Sequence, residues 1–221
     1  MPRELYQAEL QDLNRQVLLL GAMVDDAVGR AVQSLQTHDA ELARAVIAAD
    51  RQVNEKRFQI EEAAIRLIAT QQPVASDLRA IVAILNVIVE LERIGDYAAG
   101  IAKVALLYGP HPLLDAARFL APMAERGQGM LRRALAAFAA VDTAAAEEIA
   151  GEDDAVDALH EQTYRALLAE MLADPQVVDR ATWLLWVSHD LERIADRVTN
   201  VCERVIYKAT GVLVEINVST Y

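Results

Sequence analysis

The chain has 221 residues, of which 54% are hydrophobic and 24% charged, so it is neither a disordered segment nor too short to bury a core. A net charge of −12, with no Lys/Arg stripe interleaved with aromatics, argues against nucleic acid as a partner. The only cysteine, Cys202, rules out an intrachain disulfide and suits a reducing compartment.

Apolar residues recur at helical spacing almost throughout, and the breaks divide the chain into six predicted helices. The first covers 3–36, with Leu13, Val17, Leu20, Val24, Ala27 and Ala31 on one face. Glu4, Glu9, Asp12 and Arg15 interrupt its start, so it lacks the apolar region of a secretory signal. The second, 40–70, follows Asp39 as N-cap. A turn with Pro73 and Ser76 leads to the third, 76–108, where Ala80 to Val89 is the nearest approach to a membrane span. That run is too short, and Glu90 and Glu92 follow it, so no membrane insertion and a cytoplasmic location are expected.

Gly109-Pro110-His111-Pro112 marks a mid-chain boundary that divides the sequence into units 1–109 and 110–221. Helices over 114–140, 143–172 and 176–209 follow, started by Asp142 and by Asp174-Pro175. The tail from Val212 to Tyr221 has strand-like composition.

The halves repeat one another. Glu90-Leu91-Glu92-Arg93-Ile94-Gly95-Asp96 returns as Asp190-Leu191-Glu192-Arg193-Ile194-Ala195-Asp196, and 39–54 aligns without a gap to 142–157. Long helices joined by short loops pack antiparallel. The expected fold class is therefore all-α, two tandem pseudo-symmetric antiparallel three-helix bundles.

Residues four apart share a helix face, which pairs Asp50 with Asn54, Glu92 with Asp96, Asp153 with Asp157, and Glu192 with Asp196. A rotation of about 100° per residue sets these groups inside or beside the apolar arcs. Carboxylates facing a packed side need a cation, an arginine or a proton. Arg93 and Arg193 fall outside the arcs and suit outer salt bridges. An oxygen-rich set on two helices of each repeat suits Mg, Mn or Fe better than Zn, whose usual Cys and His ligands are missing from the motifs apart from His160, three residues after Asp157 on the acidic face of the fifth predicted helix. The alternatives are solvated acids on a metal-free helical adaptor and a di-metal carboxylate enzyme. The second would show Glu-x-x-His on two helices, a pattern missing from this chain. Cys202 reads as a small core residue, and Trp183 and Trp186 lie towards the flanks of the last helix, where core-edge packing is expected, with a partner surface as the alternative.

These motifs resemble the PhoU family, whose two repeats each carry an acidic Glu/Asp-x-x-x-Asp signature in a Leu-Glu-Arg-Ile-Gly-Asp-like setting. The run from Gln71 to Arg79, the pairs Asp50/Asn54 and Asp153/Asp157, and Tyr207-x-x-Thr210-Gly211 extend the likeness over nearly the whole chain. The resemblance implies multinuclear metal clusters on the acidic motifs of some members and a role beside a phosphate ABC transporter. It further implies restraint of phosphate-starvation signalling, contact with the transporter's ATPase subunit and a sensor histidine kinase, and self-association as a homodimer. Gly100 and Lys103 depart from Asn200 and Glu203 of the second repeat, and Arg57 stands where the family favours an acid. The two sites are therefore expected to differ.

Overall fold

The computed structural model describes residues 2–216 and is built from helices. Among the described residues these are α1 (Pro2–Thr37), α2 (Ala40–Gln71), α3 (Ser76–Tyr108), α4 (Leu120–Ala140), α5 (Thr143–Ala150), α6 (Asp153–Ala173) and α7 (Val178–Thr210). Single 3-10 turns at Asp115–Phe119 and Pro175–Val177 lead into α4 and α7. The tail reading applies here only to 212–216, which is irregular; 217–221 lie outside the described residues.

Local chemistry explains most boundaries. Asp39 accepts from the Leu42 amide at 2.9 Å and Asp142 from the Ala145 amide at 3.1 Å, satisfying two amides that the first helical turn leaves orphaned. Asp174 does the same for Gln176 at 3.0 Å. The turn before α3 has no side-chain cap: helix α3 starts at Ser76, and the N-cap residue is Ala75, with φ 49° and ψ −118°.

The predicted fifth helix is also interrupted. Gly151 and Glu152 close 3-10-like bonds, the Glu152 amide to Ile149 carbonyl at 3.1 Å and the Ala155 amide to Glu152 carbonyl at 3.1 Å. A glycine weakens the α-helix here, and Arg133 of α4 draws Glu152 outward through a two-pronged ion pair. Asp153 thereby becomes the first residue of a new helix and is 1% exposed.

In the first half α1, α2 and α3 pack on one another; in the second, α4 and the α5–α6 pair pack on α7. Short connections between mutually packed helices make each half an antiparallel three-helix bundle. The halves are not separate beads, because α3 packs along α7 and α1 along α4. That position explains why α3 is apolar on nearly every face: Ile81, Ile84, Val87, Ile88, Leu91, Ile94, Ala98 and Ile101 all have no exposed surface. The connecting segment is tied down as well. The Tyr108 hydroxyl donates to the Pro112 carbonyl at 3.1 Å and accepts from the Leu114 amide at 3.2 Å, while the Tyr108 ring meets Trp183 edge-on at 6.2 Å. Cys202 is buried as expected, whereas Trp186, expected at the core edge, is more than half exposed.

Lys208, near the end of α7, donates to Asn14 Oδ1 of α1 at 3.1 Å and to the Phe138 carbonyl of α4 at 3.0 Å, and lies 4.0 Å from the centre of the Phe138 ring. Burial pushes its ammonium down to about 8. One side chain thus joins a first-half helix to two second-half helices.

If the α3–α7 contact is a structural centre, Ile94→Ala should cost about 2 to 5 kcal/mol through lost burial and a residual cavity. Asp142→Ala, which removes only a cap, should cost about 1 kcal/mol. Urea denaturation midpoints at constant slope check the order; equal losses would show that Ile94 is not part of a tightly packed centre.

Candidate metal centre

In the first repeat, α2 carries Asp50 and Asn54 opposite Glu92 and Asp96 of α3. Gly95 makes the approach possible: a Cβ there would lie 3.1 Å from Val53 Cγ1 and 3.5 Å from Asp50 Oδ1. Asp50 therefore sits against α3 between Glu92 and Asp96. Its Oδ2 accepts from Asn54 Nδ2 at 3.2 Å, whereas its buried Oδ1 accepts no hydrogen bond.

Burial raises the Asp50 carboxyl above its ordinary range, and Asp96 adds to the shift while Lys103 and Asn54 oppose it. Glu92 is likewise raised by burial, then by Asp96 and Asp50, against Arg57 and Arg93. The first cluster thus has resident positive charge from Lys103 and Arg57, and Arg57 also pairs with Glu61 at 3.1 Å. Asp96 is exposed; Asp50, Asn54 and Glu92 are half-buried.

The second repeat brings Asp153 and Asp157 of α6 to Glu192 and Asp196 of α7, and the electrostatic strain is greater. Asp153 is pushed up to about 7 by burial, with Asp157, Asp196, Glu192 and Asp154 all acting in the same direction. Burial raises Asp157, reinforced by Asp196 and Asp154 and eased by His160. Burial also raises Glu192, with Asp196 adding and Arg193 and His189 opposing.

His160 donates or accepts through Nδ1 at 2.8 Å from the buried Ser188 hydroxyl, depending on tautomer. Burial and His189 lower its pKa. His189 Nδ1 lies 3.7 Å from Glu192. Where the first cluster has Lys103, the matching residue of the second is Glu203, which faces elsewhere: its Oε1 accepts the Ile216 amide of the tail at 3.0 Å.

Each repeat therefore gathers its four expected side chains on facing helices. Among the described residues, however, no three His, Cys, Asp or Glu side chains are drawn together tightly enough to hold an ion as they stand. In the second repeat one of these carboxylates, Asp196, already has a partner in Arg193. That arginine was expected on the outside, like the exposed Arg93, but it turns back to pair with Asp196. The donor set, carboxylates with one amide and a hydrogen-bond-free buried oxygen at Asp50, fits a hard oxygen-seeking cation in chemistry.

The sequence reading missed the polar contacts across α3 and α7. Glu90 accepts from Asn200 Nδ2 at 3.0 Å and lies 3.3 Å from Arg197. By the repeat correspondence, Glu90 with Asn200 is mirrored by Asp190 with Gly100, where a Cβ would stand only 2.7 Å from Asp190 Oδ2. α3 and α7 thus cross antiparallel about a local two-fold axis near Gly95 and Ala195. The spacing of the repeated segments held this signal.

A duplicated all-α protein whose repeats each set two pairs of oxygen-bearing side chains on facing helices is a distinct structural class. The PhoU domain matches residues 17–105 and again 120–205, and the chain belongs to the PhoU family. It is 34% identical over 218 residues to the phosphate-specific transport system accessory protein PhoU homolog of Clostridium acetobutylicum, covering 98% of this chain and all of that one. It is 36% identical over 209 residues to the phosphate-specific transport system accessory protein PhoU of Escherichia coli K12, covering 93% and 86%. The crystal structure of the phosphate transport system regulatory protein PhoU from Streptococcus pneumoniae superposes with a TM-score of 0.89 at 32% identity, covering 95% of this chain and 99% of that one. PhoU from Pseudomonas aeruginosa gives 0.89 at 34%, covering 94% and 100%.

The raised Asp153 yields a signed pH dependence. An acid whose folded pKa exceeds its ordinary 3.8 stabilises the fold fully below that value, and the contribution is lost as pH rises through about 7. With chelator present, Asp153→Asn should stabilise the protein by about 2 to 4 kcal/mol at pH 8, shrinking towards zero near pH 4. Thermal unfolding across that range checks this; a loss of stability at pH 8 would show that Asp153 is satisfied as an anion without a cation.

Proposed function

We propose that this chain is a cytoplasmic, non-enzymatic regulator of phosphate uptake that restrains phosphate-starvation signalling. In this reading it acts, as a homodimer, by contact with the ATPase subunit of a phosphate ABC transporter and with the sensor histidine kinase. The observation that carries the reading is full-length similarity, in sequence and fold, to proteins named as phosphate transport accessory or regulatory proteins. Among the described residues no helix is long and apolar enough to cross a membrane, which agrees with action by contact.

Asp50, Asn54, Glu92 and Asp96 would hold a cation in the first repeat, and Asp153, Asp157, Glu192 and Asp196 in the second, with Fe, Mn or Mg favoured over Zn by the oxygen donors. A bound ion would supply charge neutralisation between helices. The ion pair between Asp196 and Arg193 favours the second reading, a metal-free adaptor with the same partners.

Deleting the gene should derepress phosphate-starvation genes in phosphate-rich medium, and a tagged chain should capture the ATPase subunit and the kinase from phosphate-replete cells. Unchanged expression after deletion would remove the regulatory reading.

For the cation, about hundredfold excess over Kd stabilises a folded-state site by roughly 2.7 kcal/mol, so chelation should lower the melting temperature of the wild type by about 5 to 10 °C. Glu192→Ala with Asp196→Ala should remove most of that chelator effect, and Glu92→Ala with Asp96→Ala less, because Arg57 and Lys103 already offset the first cluster. Scans on wild type and both variants decide; identical wild-type melting with and without chelator returns the protein to the metal-free adaptor.

A further inference from the structure

The seam where α1 of the first half runs along α4 of the second is held differently at its two ends. At one end Gln128 Nε2 donates to the Asp25 carbonyl at 2.8 Å and to Asp25 Oδ1 at 3.0 Å, and Arg132 pairs with the same carboxylate at 3.1 Å. In the middle the helices touch, and a Cβ on Gly21 would overlap the Leu135 side chain. At the other end Lys208 reaches in from α7, donating to Asn14 Oδ1 of α1 at 3.1 Å and to the Phe138 carbonyl of α4 at 3.0 Å, with its nitrogen over the Phe138 ring.

This second end holds a cation without an anion. Of the charged groups nearby in sequence, Asp12 of α1 is bound to Arg15, Arg133 of α4 to Glu152, and Glu203 of α7 to Arg204 at 3.4 Å. Among the described residues no charged group faces Lys208 from α1, α4 or α7, and burial is what moves its ammonium. The ring and the two oxygens favour the charged form, while removal from water opposes it. An amine keeps two N–H donors, so loss of the proton takes away the charge but neither hydrogen bond. Tyr108, the matching residue of α3, makes its ties to the connecting segment through an uncharged hydroxyl.

We infer that Lys208 is a proton-sensitive latch on this end of the seam: as an ammonium it lets α1 part from α4 beside Asn14 and Phe138 and admits water, and as an amine it holds the two helices closed. Opening returns Lys208 to water and to its ordinary 10.5, above the value of about 8 that it has in the closed seam. Closure is therefore weakest below pH 8 and strengthens as pH rises from there towards 10.5. The latch needs no metal ion, and the contact it controls is one of the two that join the halves.

Hydrogen–deuterium exchange of the full chain, corrected for the intrinsic pH dependence of exchange, reads the opening directly. Between pH 7 and pH 9 the opening constant of peptides around Asn14 and Phe138 should fall about tenfold, the change that linkage gives for these two values. Peptides around Asp25 and along α2 should not follow. Lys208→Met should abolish the step and be as closed at pH 7 as the wild type is at pH 9. Lys208→Arg, charged throughout, should also abolish the step but remain readily opened at both pH values. Absence of the step in the wild type, or its survival in either variant, overturns the latch. An equal step along α2 overturns it too, since the proton then acts on unfolding of the whole chain. If the Met variant does not fold, the Arg variant alone decides.

Discussion

The antiparallel crossing of α3 and α7 is the constraint on which the rest of the molecule depends. Each of these helices is the third member of its own bundle and at the same time packs along its counterpart in the other bundle. Such a helix has little surface left for water, and α3 is accordingly apolar on nearly every face. Polar side chains survive in the crossing where a partner meets them, as Glu90 is met by Asn200 and Arg197. The carboxylate pairs lie to either side of this crossing, so the apolar contact that joins the halves also sets the positions of the acidic clusters.

Much of this was legible in the chain. The helical period, the caps at Asp39 and Asp142 and the repeated Leu-Glu-Arg-Ile segment identify the helices and their duplication because each is a local property. The eight expected site residues do fall on facing helices, since spacing by four fixes a shared face whatever packs against it. What spacing cannot supply is the neighbour. Nothing in the spacing of α3 shows that Glu90 meets Asn200 and Arg197 of the other repeat. The break at Gly151 was hidden for the same reason: the glutamate after it is pulled away by Arg133 of another helix.

Duplication has not kept the halves equivalent. α2 runs unbroken through Asp50, whereas its counterpart divides into α5 and α6 and buries Asp153 at the start of the second piece. Gly95 lets α2 approach α3 closely, and Ala195 takes its place in the second repeat. The first cluster is partly neutralised by Lys103 and Arg57, while the second has a heavier excess of negative charge. Two clusters that differ by Asn54 against Asp157 and in their neighbouring positive charges would respond differently to the same concentration of a cation.

The pair formed by Lys103 and Glu203 shows how such divergence proceeds. At one duplicated position the first copy places an ammonium beside Asp50, and the second places a carboxylate that turns away to hold the Ile216 amide of the chain end. The difference in charge at this one position does two things. It gives the first cluster a built-in cation that the second lacks, and it leaves the second copy's carboxylate to moor the segment that follows α7. The halves differ here by no change of backbone, only by which neighbour one side chain serves.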